Sequence, residues 1–205
     1  VVDVPGGGDL GAIRVGYSLA TLVFSALVAG IASENLSDYP IYYPGGNLRA
    51  RYEVVDLPDL IPSHDIHFNQ NPGLPQELQP REGGSAPARD QVNNMAARLQ
   101  PERLGPSPEA NSGAPIIGPD NVVESGNGRM LSIAKHYAKG STDHRDYLVS
   151  QGYDVSGMKQ PVLVARRTSE MTPGQREYFT NSANSSASLK MSAAEQAASD
   201  AKLVN

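Results

Sequence analysis

Residues 120–137 read DNVVESGNGRMLSIAKHY, and few backbones satisfy that order. Val122 and Val123 fit the end of a short strand. Leu131, Ile133, Ala134 and Tyr137 fit the buried side of a helix. Between them, Ser125-Gly126-Asn127-Gly128-Arg129 is too rich in glycine for a simple connection. A strand that turns sharply into a helix leaves backbone N–H groups pointing outward, and such groups bind anions. Gly126 and Gly128 would permit φ > 0 and a close approach to a phosphate. Arg129 would add a fork of donors, and Ser125 and Asn127 side-chain hydrogen bonds. Glu124 would orient a metal-bound water or pair with Arg129. The plainer alternative is a tight corner with Arg129 in a structural salt bridge.

The same reading extends along the chain. APIIGPDNVVES predicts two short strands around a Gly118-Pro119-Asp120-Asn121 turn. Helices follow at about 129–139 and 143–151, and residues 160–167, QPVLVARR, form the strongest strand pattern. Thr172-Pro173 opens a further helix, and Ser192 with Glu195 makes a capping box for another. Upstream, residues 89–99 predict a helix with Val92, Met95, Ala96 and Leu99 on one face. A short strand is expected around Tyr52–Val55, a loop at 34–50, and a long irregular Pro- and Gly-rich segment at 66–88. A loop of that length in a compact domain is usually functional or mobile. The sum is an α+β fold: a small mixed sheet with flanking helices and a C-terminal helical part.

Composition narrows the chemistry. The 205 residues contain no Cys, which excludes disulfides, thiolate metal sites and cysteine catalysis. The net charge of −5 gives no global basic field for nucleic acid. The charge is uneven: residues 1–120 balance to −7 and residues 121–205 to +2, so the glycine turn lies in the less acidic part. Residues 15–32 carry no charge over 18 positions, near the lower limit for a membrane span. Their Ser, Thr, Tyr and Gly favour a buried helix instead, so a membrane role is not expected.

Several other residues are candidates. His64, Asp65 and His67 have metal-like spacing but lack a third ligand at recognisable distance, so a solvated or turn-capping role is favoured and no metal site is expected. His136 and His144 read as helix-surface residues, Asp143 as an N-cap, and Lys135 and Lys139 as a solvated face able to brush phosphates. Arg166 and Arg167 face a ligand or blunt an edge strand.

In joint order these motifs resemble the N-terminal domain of ParB partition proteins, whose fold is shared with sulfiredoxin. The resemblance runs over about residues 51–204. Gln79-Pro80-Arg81 follows a strand as in ParB, ESGNGR stands where ParB has its phosphate turn, and Asn184 with Glu195-Gln196-Ala197 is similar to the later ParB motif. Ser125–Arg129 and GMKQPVLVARRTSEMT most resemble the DdrB-like ParB-type domain of the polyvalent proteins of phages and conjugative elements. The organisation so implied is an unassigned N-terminal extension at 1–50 with an apolar helix, a nucleotide-binding core at 51–170, and C-terminal helices of the same domain at 171–205.

The resemblance implies binding of a nucleoside triphosphate, CTP or ATP, with Mg2+, by Gln79, Arg81, Ser125, Gly126, Asn127, Gly128, Arg129 and Asn184, with Glu124 as the catalytic candidate. It implies a nucleotide-dependent switch in DNA-related defence or partition. Expected partners are DNA, other domains of a larger parent protein and further copies of the chain. The expected location is the cytoplasm of a bacterial host, or carriage in a phage particle. The chain departs from the ParB pattern at three places. Ala183 replaces a Glu, Ala187 or Ser188 replaces an Arg, and the phosphate turn lacks its second Arg. Magnesium placement and hydrolysis thus lose their usual residues, and a slow nucleoside triphosphatase is one reading among three. The rivals are a metal-dependent nuclease on the same fold and a non-catalytic assembly scaffold. Sulfiredoxin chemistry is excluded because it needs a cysteine.

Overall fold

The computed structural model describes residues 38–78 and 85–188. The expected helices at 15–33 and after Ser192 lie outside them, as do Gln79 and Arg81. Five strands form one mixed sheet: β1 (Tyr39–Tyr43), β2 (Gly46–Asp56), β3 (Ile116–Ile117), β4 (Val123–Ser125) and β5 (Pro161–Arg167), in the order β1-β2-β5-β3-β4. All neighbours are antiparallel except β3 and β5. Four helices accompany them: α1 (Ala86–Ala97), α2 (Asn127–Ala138), α3 (Asp143–Ser150) and α4 (Pro173–Ser188). The architecture is the expected α+β class.

β5 reads PVLVARR and is apolar over its first five positions because it is central and covered on both sides. The strand period of two sends Leu163 and Ala165 to one face, where they meet Ile41, Leu48, Ala50, Tyr52, Leu148 and Phe179. Val162 and Val164 go to the other face, with Ile117, Val123, Met130 and Ile133. α3 and α4 therefore cover one face and α2 the other, and α1 packs on α2.

The expected loop at 34–50 is instead the β1–β2 hairpin, so the sheet begins at Tyr39. Tyr43 and Gly46 pair across Pro44-Gly45, and Gly45 sits at φ 101°, the left-handed conformation that a Pro-Gly turn requires. Ile41, Leu48, Ala50 and Tyr52 alternate inward from it. The placement of Arg166 and Arg167 on an edge is also corrected, since β5 is the middle strand. His136 and His144, expected on helix surfaces, are buried, and His144 packs edge-on against Tyr137. Removal from water pushes the His144 pKa down to about 4, with His136 adding to the effect. Asp143 is the first residue of α3 rather than its cap, which is Thr142.

Candidate functional site

The β4–α2 corner is built on Gly126. It caps α2 at φ 83°, and any Cβ there would lie 2.6 Å from the Arg129 guanidinium, so glycine is required twice over. The first bond of the helix runs from Met130 N–H to Gly126 O at 2.9 Å. The helix begins at Asn127, two residues earlier than the pattern predicts.

The polar side chains of the corner point into the fold. Arg129 donates to Gly113 O and Ala110 O, both at 2.7 Å, and burial pushes its pKa down to about 10. The expected salt bridge from Arg129 to Glu124 is thus replaced by two carbonyl contacts. Ser125 Oγ donates to the same Ala110 O at 3.0 Å. Asn127 Nδ2 donates to Val123 O at 3.0 Å, and its Oδ1 accepts Ser63 N–H at 2.7 Å, which fastens the loop of 61–71 beside the start of α2.

Glu124 is 0 % exposed. Arg167 grips it through Nε and Nη2, each at 2.9 Å, and Arg176 of α4 donates its Nε to Oε1 at 2.7 Å. Arg176 Nη2 reaches Asp120 Oδ1 at 2.8 Å, so α4 is tied to the β3–β4 turn as well. Fully buried and held by two arginines, Glu124 anchors β5 and α4 to the end of β4. Arg166 is similarly engaged, with Glu53 Oε1 at 2.6 Å, Gly118 O at 3.0 Å and Asn121 Oδ1 at 2.8 Å.

What faces outward is backbone. The N–H groups of Asn127, Gly128 and Arg129 have no acceptor among the described residues, and no side chain caps the helix. Gly128 is exposed, does not have a positive φ, and would place an added Cβ in ordinary contact with Val92 at 3.7 Å. The expectation of φ > 0 therefore holds for Gly126 and fails for Gly128.

The loop beside this helix start is organised by Asp65. Its Oδ1 accepts the N–H groups of His67 and Asn69 at 2.8 and 2.9 Å, and its Oδ2 accepts Asn69 Nδ2 at 2.9 Å. The Asn69 side chain, first among these donors, holds the Asp65 pKa below the usual carboxylate value. Phe68 sits at φ 66°, a conformation costly for a bulky residue, about 1–3 kcal/mol. Its ring lies under Lys135 Nζ at 4.4 Å and Arg89 Cζ at 5.4 Å. His64 is buried against Ser63 Oγ at 2.9 Å, and desolvation lowers its pKa. Among the described residues no group of three His, Asp or Glu side chains is arranged to hold a metal ion. Asn184 lies on α4, next to Ala183, which is buried in the core.

The structure therefore brings Glu124 through Arg129 together as one corner, with Gly128 as its exposed residue and the N–H groups of 127–129 without an acceptor among the described residues. The sequence reading missed Arg176, Arg89 and Phe68. The Thr172-Pro173 start already placed Arg176 in the first turn of a helix, and only its partner was illegible. No helix among the described residues is long and apolar enough to cross a membrane. Residues 44–168, more than half of the chain, match the family model described as the ddrB-like ParB superfamily domain. No curated protein and no solved structure matches the chain.

Proposed function

The chain belongs to the ddrB-like ParB superfamily, and on that premise we propose that it binds a nucleotide, CTP or ATP, with the phosphates on the N–H groups of Asn127, Gly128 and Arg129. The observation that carries this reading is Gly128. Nothing in the described fold needs glycine there: the φ is not positive, the position is exposed, and a Cβ would fit. Glycine inside a helix lowers stability relative to alanine by about 0.5–1 kcal/mol. A phosphate approaching the backbone closely accounts for that cost.

The reading differs from the ParB pattern in its means. Arg129 supports the corner from within and reaches the ligand only through its N–H. Among the described residues the donor set does not fit Mg2+: Glu124 is held by two arginines, and no ligand cluster stands beside it. Binding is therefore proposed without a hydrolytic step. Among the described residues the nuclease reading also lacks a carboxylate cluster. In the parent protein the nucleotide would act as a switch in DNA-related defence or partition. The Glu124–Arg176 pair is the direct link from the phosphate corner to α4 that such a switch needs. The scaffold reading is favoured by one observation, the inward direction of Ser125, Asn127 and Arg129.

Calorimetric titration with CTP, ATP, GTP and UTP, with and without magnesium, tests the proposal on wild type and Gly128→Ala. We expect one nucleotide to bind wild type and the variant to lose at least about tenfold in affinity, or about 1.4 kcal/mol. Absence of binding to wild type under every condition would leave the scaffold. Equal binding by both proteins would move the phosphates away from α2.

A further inference from the structure

The tip of the β1–β2 hairpin and the start of α4 enclose a cleft of about 600 Å3, a volume typical of ligand sites. Its walls include Tyr43, Glu170, Met171, Gln175 and Tyr178. It lies apart from the glycine corner. β1 and β4 are opposite edges of the sheet, and β5 runs toward the hairpin tip while β4 runs away from it. Tyr178 is 55 % exposed, one of three large apolar side chains so exposed among the described residues. Its hydroxyl rests on the left-handed Gly45, where an added Cβ would collide with it. Tyr43 is fixed from the core side, edge-on to Phe179 at 4.9 Å. Two aromatic rings are thus held at the cleft by the fold itself.

The charge of the cleft is negative. Glu170 is exposed and makes no ion pair among the described residues, and the exposed Glu177 adjoins Tyr178. No described Lys, Arg or His lines the cleft. The nearby cations are taken or turned away. Arg167 and Arg176 hold Glu124, and Arg51 reaches Asp38 at 3.5 Å. Arg49 alternates with the inward Leu48 and Ala50, so it stands on the outer face of β2. A carboxylate beside aromatic rings, without a competing cation, selects a positive ligand.

We propose that this cleft docks a basic segment of a partner polypeptide, with one Lys or Arg side chain between Glu170 and the rings of Tyr43 and Tyr178, and an apolar neighbour on Met171. The cleft has room for more than one side chain, which favours a peptide segment over a lone cation. Residues 1–120, which balance to −7, draw basic segments toward this end of the sheet and repel polyanions. No residue of the glycine corner takes part, so the proposal does not rest on the nucleotide reading.

Fluorescence anisotropy at low KCl tests it, with a labelled, capped peptide carrying Leu-Arg-Leu in a glycine–serine background. Companion probes replace the arginine by lysine or by neutral citrulline, and unlabelled N-acetylarginine amide serves as competitor. The proteins are wild type, Glu170→Gln, Tyr178→Ala, Tyr178→Phe, and Glu102→Gln as an exposed carboxylate outside the cleft. Wild type should bind a basic peptide and not the citrulline one. Tyr178→Ala should lose about threefold to tenfold in affinity and Glu170→Gln about threefold, with Tyr178→Phe and Glu102→Gln unchanged. Three outcomes overturn the proposal: no binding of either basic peptide by wild type, equal binding of the citrulline peptide, or a loss in Glu102→Gln equal to that in Glu170→Gln. Competition by N-acetylarginine amide as strong as that by the whole peptide would make the ligand a small cation and overturn the polypeptide partner.

Discussion

The chain starts two of its helices in opposite ways. α4 opens with a reciprocal cap: Thr172 N–H donates to Gln175 Oε1 at 2.9 Å, and Gln175 N–H donates to Thr172 Oγ1 at 3.4 Å, with Pro173 at the first helical position. α2 opens on a left-handed glycine with no side-chain cap and a second glycine in its first turn. The sequence around α2 is not short of capping groups, for Ser125 and Asn127 both stand at the corner. They are turned to Ala110, Val123 and Ser63 instead. One start is closed by its own side chains, and the other is stiffened from behind while its N–H groups stay open.

The two starts are joined by Glu124, and the largest effect is expected there. Glu124→Ala would leave Arg167, 5 % exposed, without a carboxylate and with only the Ser169 carbonyl as acceptor, and would free Arg176 from the β4 end. Breaking a buried pair from one side costs about 3–5 kcal/mol. Urea denaturation measures it, and a loss below about 1 kcal/mol would mean that the anchor joins nothing. Arg129→Ala ranks next. It removes two charge-assisted bonds from the 110–113 loop, for about 2–3 kcal/mol. Loss of nucleotide binding in that variant would therefore reflect a damaged corner, and a variant with wild-type stability would contradict the inward geometry.

Thr172→Ala tests the closed start. Removing its hydroxyl takes an acceptor from Gln175 N–H, a cap loss of about 1 kcal/mol. The melting temperature should fall while nucleotide affinity holds. A fall in affinity would show that the two helix starts are coupled through Arg176.

This contrast was half legible in the sequence. Thr172-Pro173 announces the closed start, and the β3–β4 turn, β5 and the span of α2 follow from strand and helix periods. The hairpin of 39–56 escaped because Tyr, Pro and Gly dominate its tip, although Ile41, Leu48, Ala50 and Tyr52 alternate about a Pro-Gly turn. The direction of Arg129 escaped for a stronger reason. Its acceptors are backbone carbonyls at 110 and 113, in an irregular segment without periodicity, and a carbonyl has no sequence signature. Glu124 misled in the same way, since both of its arginines are more than forty residues away in the chain.

Gly128→Ala has the smallest effect on the fold and sharpens the comparison furthest. An alanine at this exposed position without positive φ meets only Val92 at 3.7 Å. It also narrows the unfolded chain, so stability should rise by about 0.5–1 kcal/mol, read as a higher melting temperature. Gly126→Ala is the matched opposite, because at φ 83° and against Arg129 the methyl has no room and stability must fall. If Gly128→Ala stabilises the protein and abolishes nucleotide binding, the open start of α2 is kept open for a ligand at the expense of the helix. If it stabilises the protein and binding survives, the glycine serves neither fold nor phosphate, and the difference between the two helix starts is only one of capping.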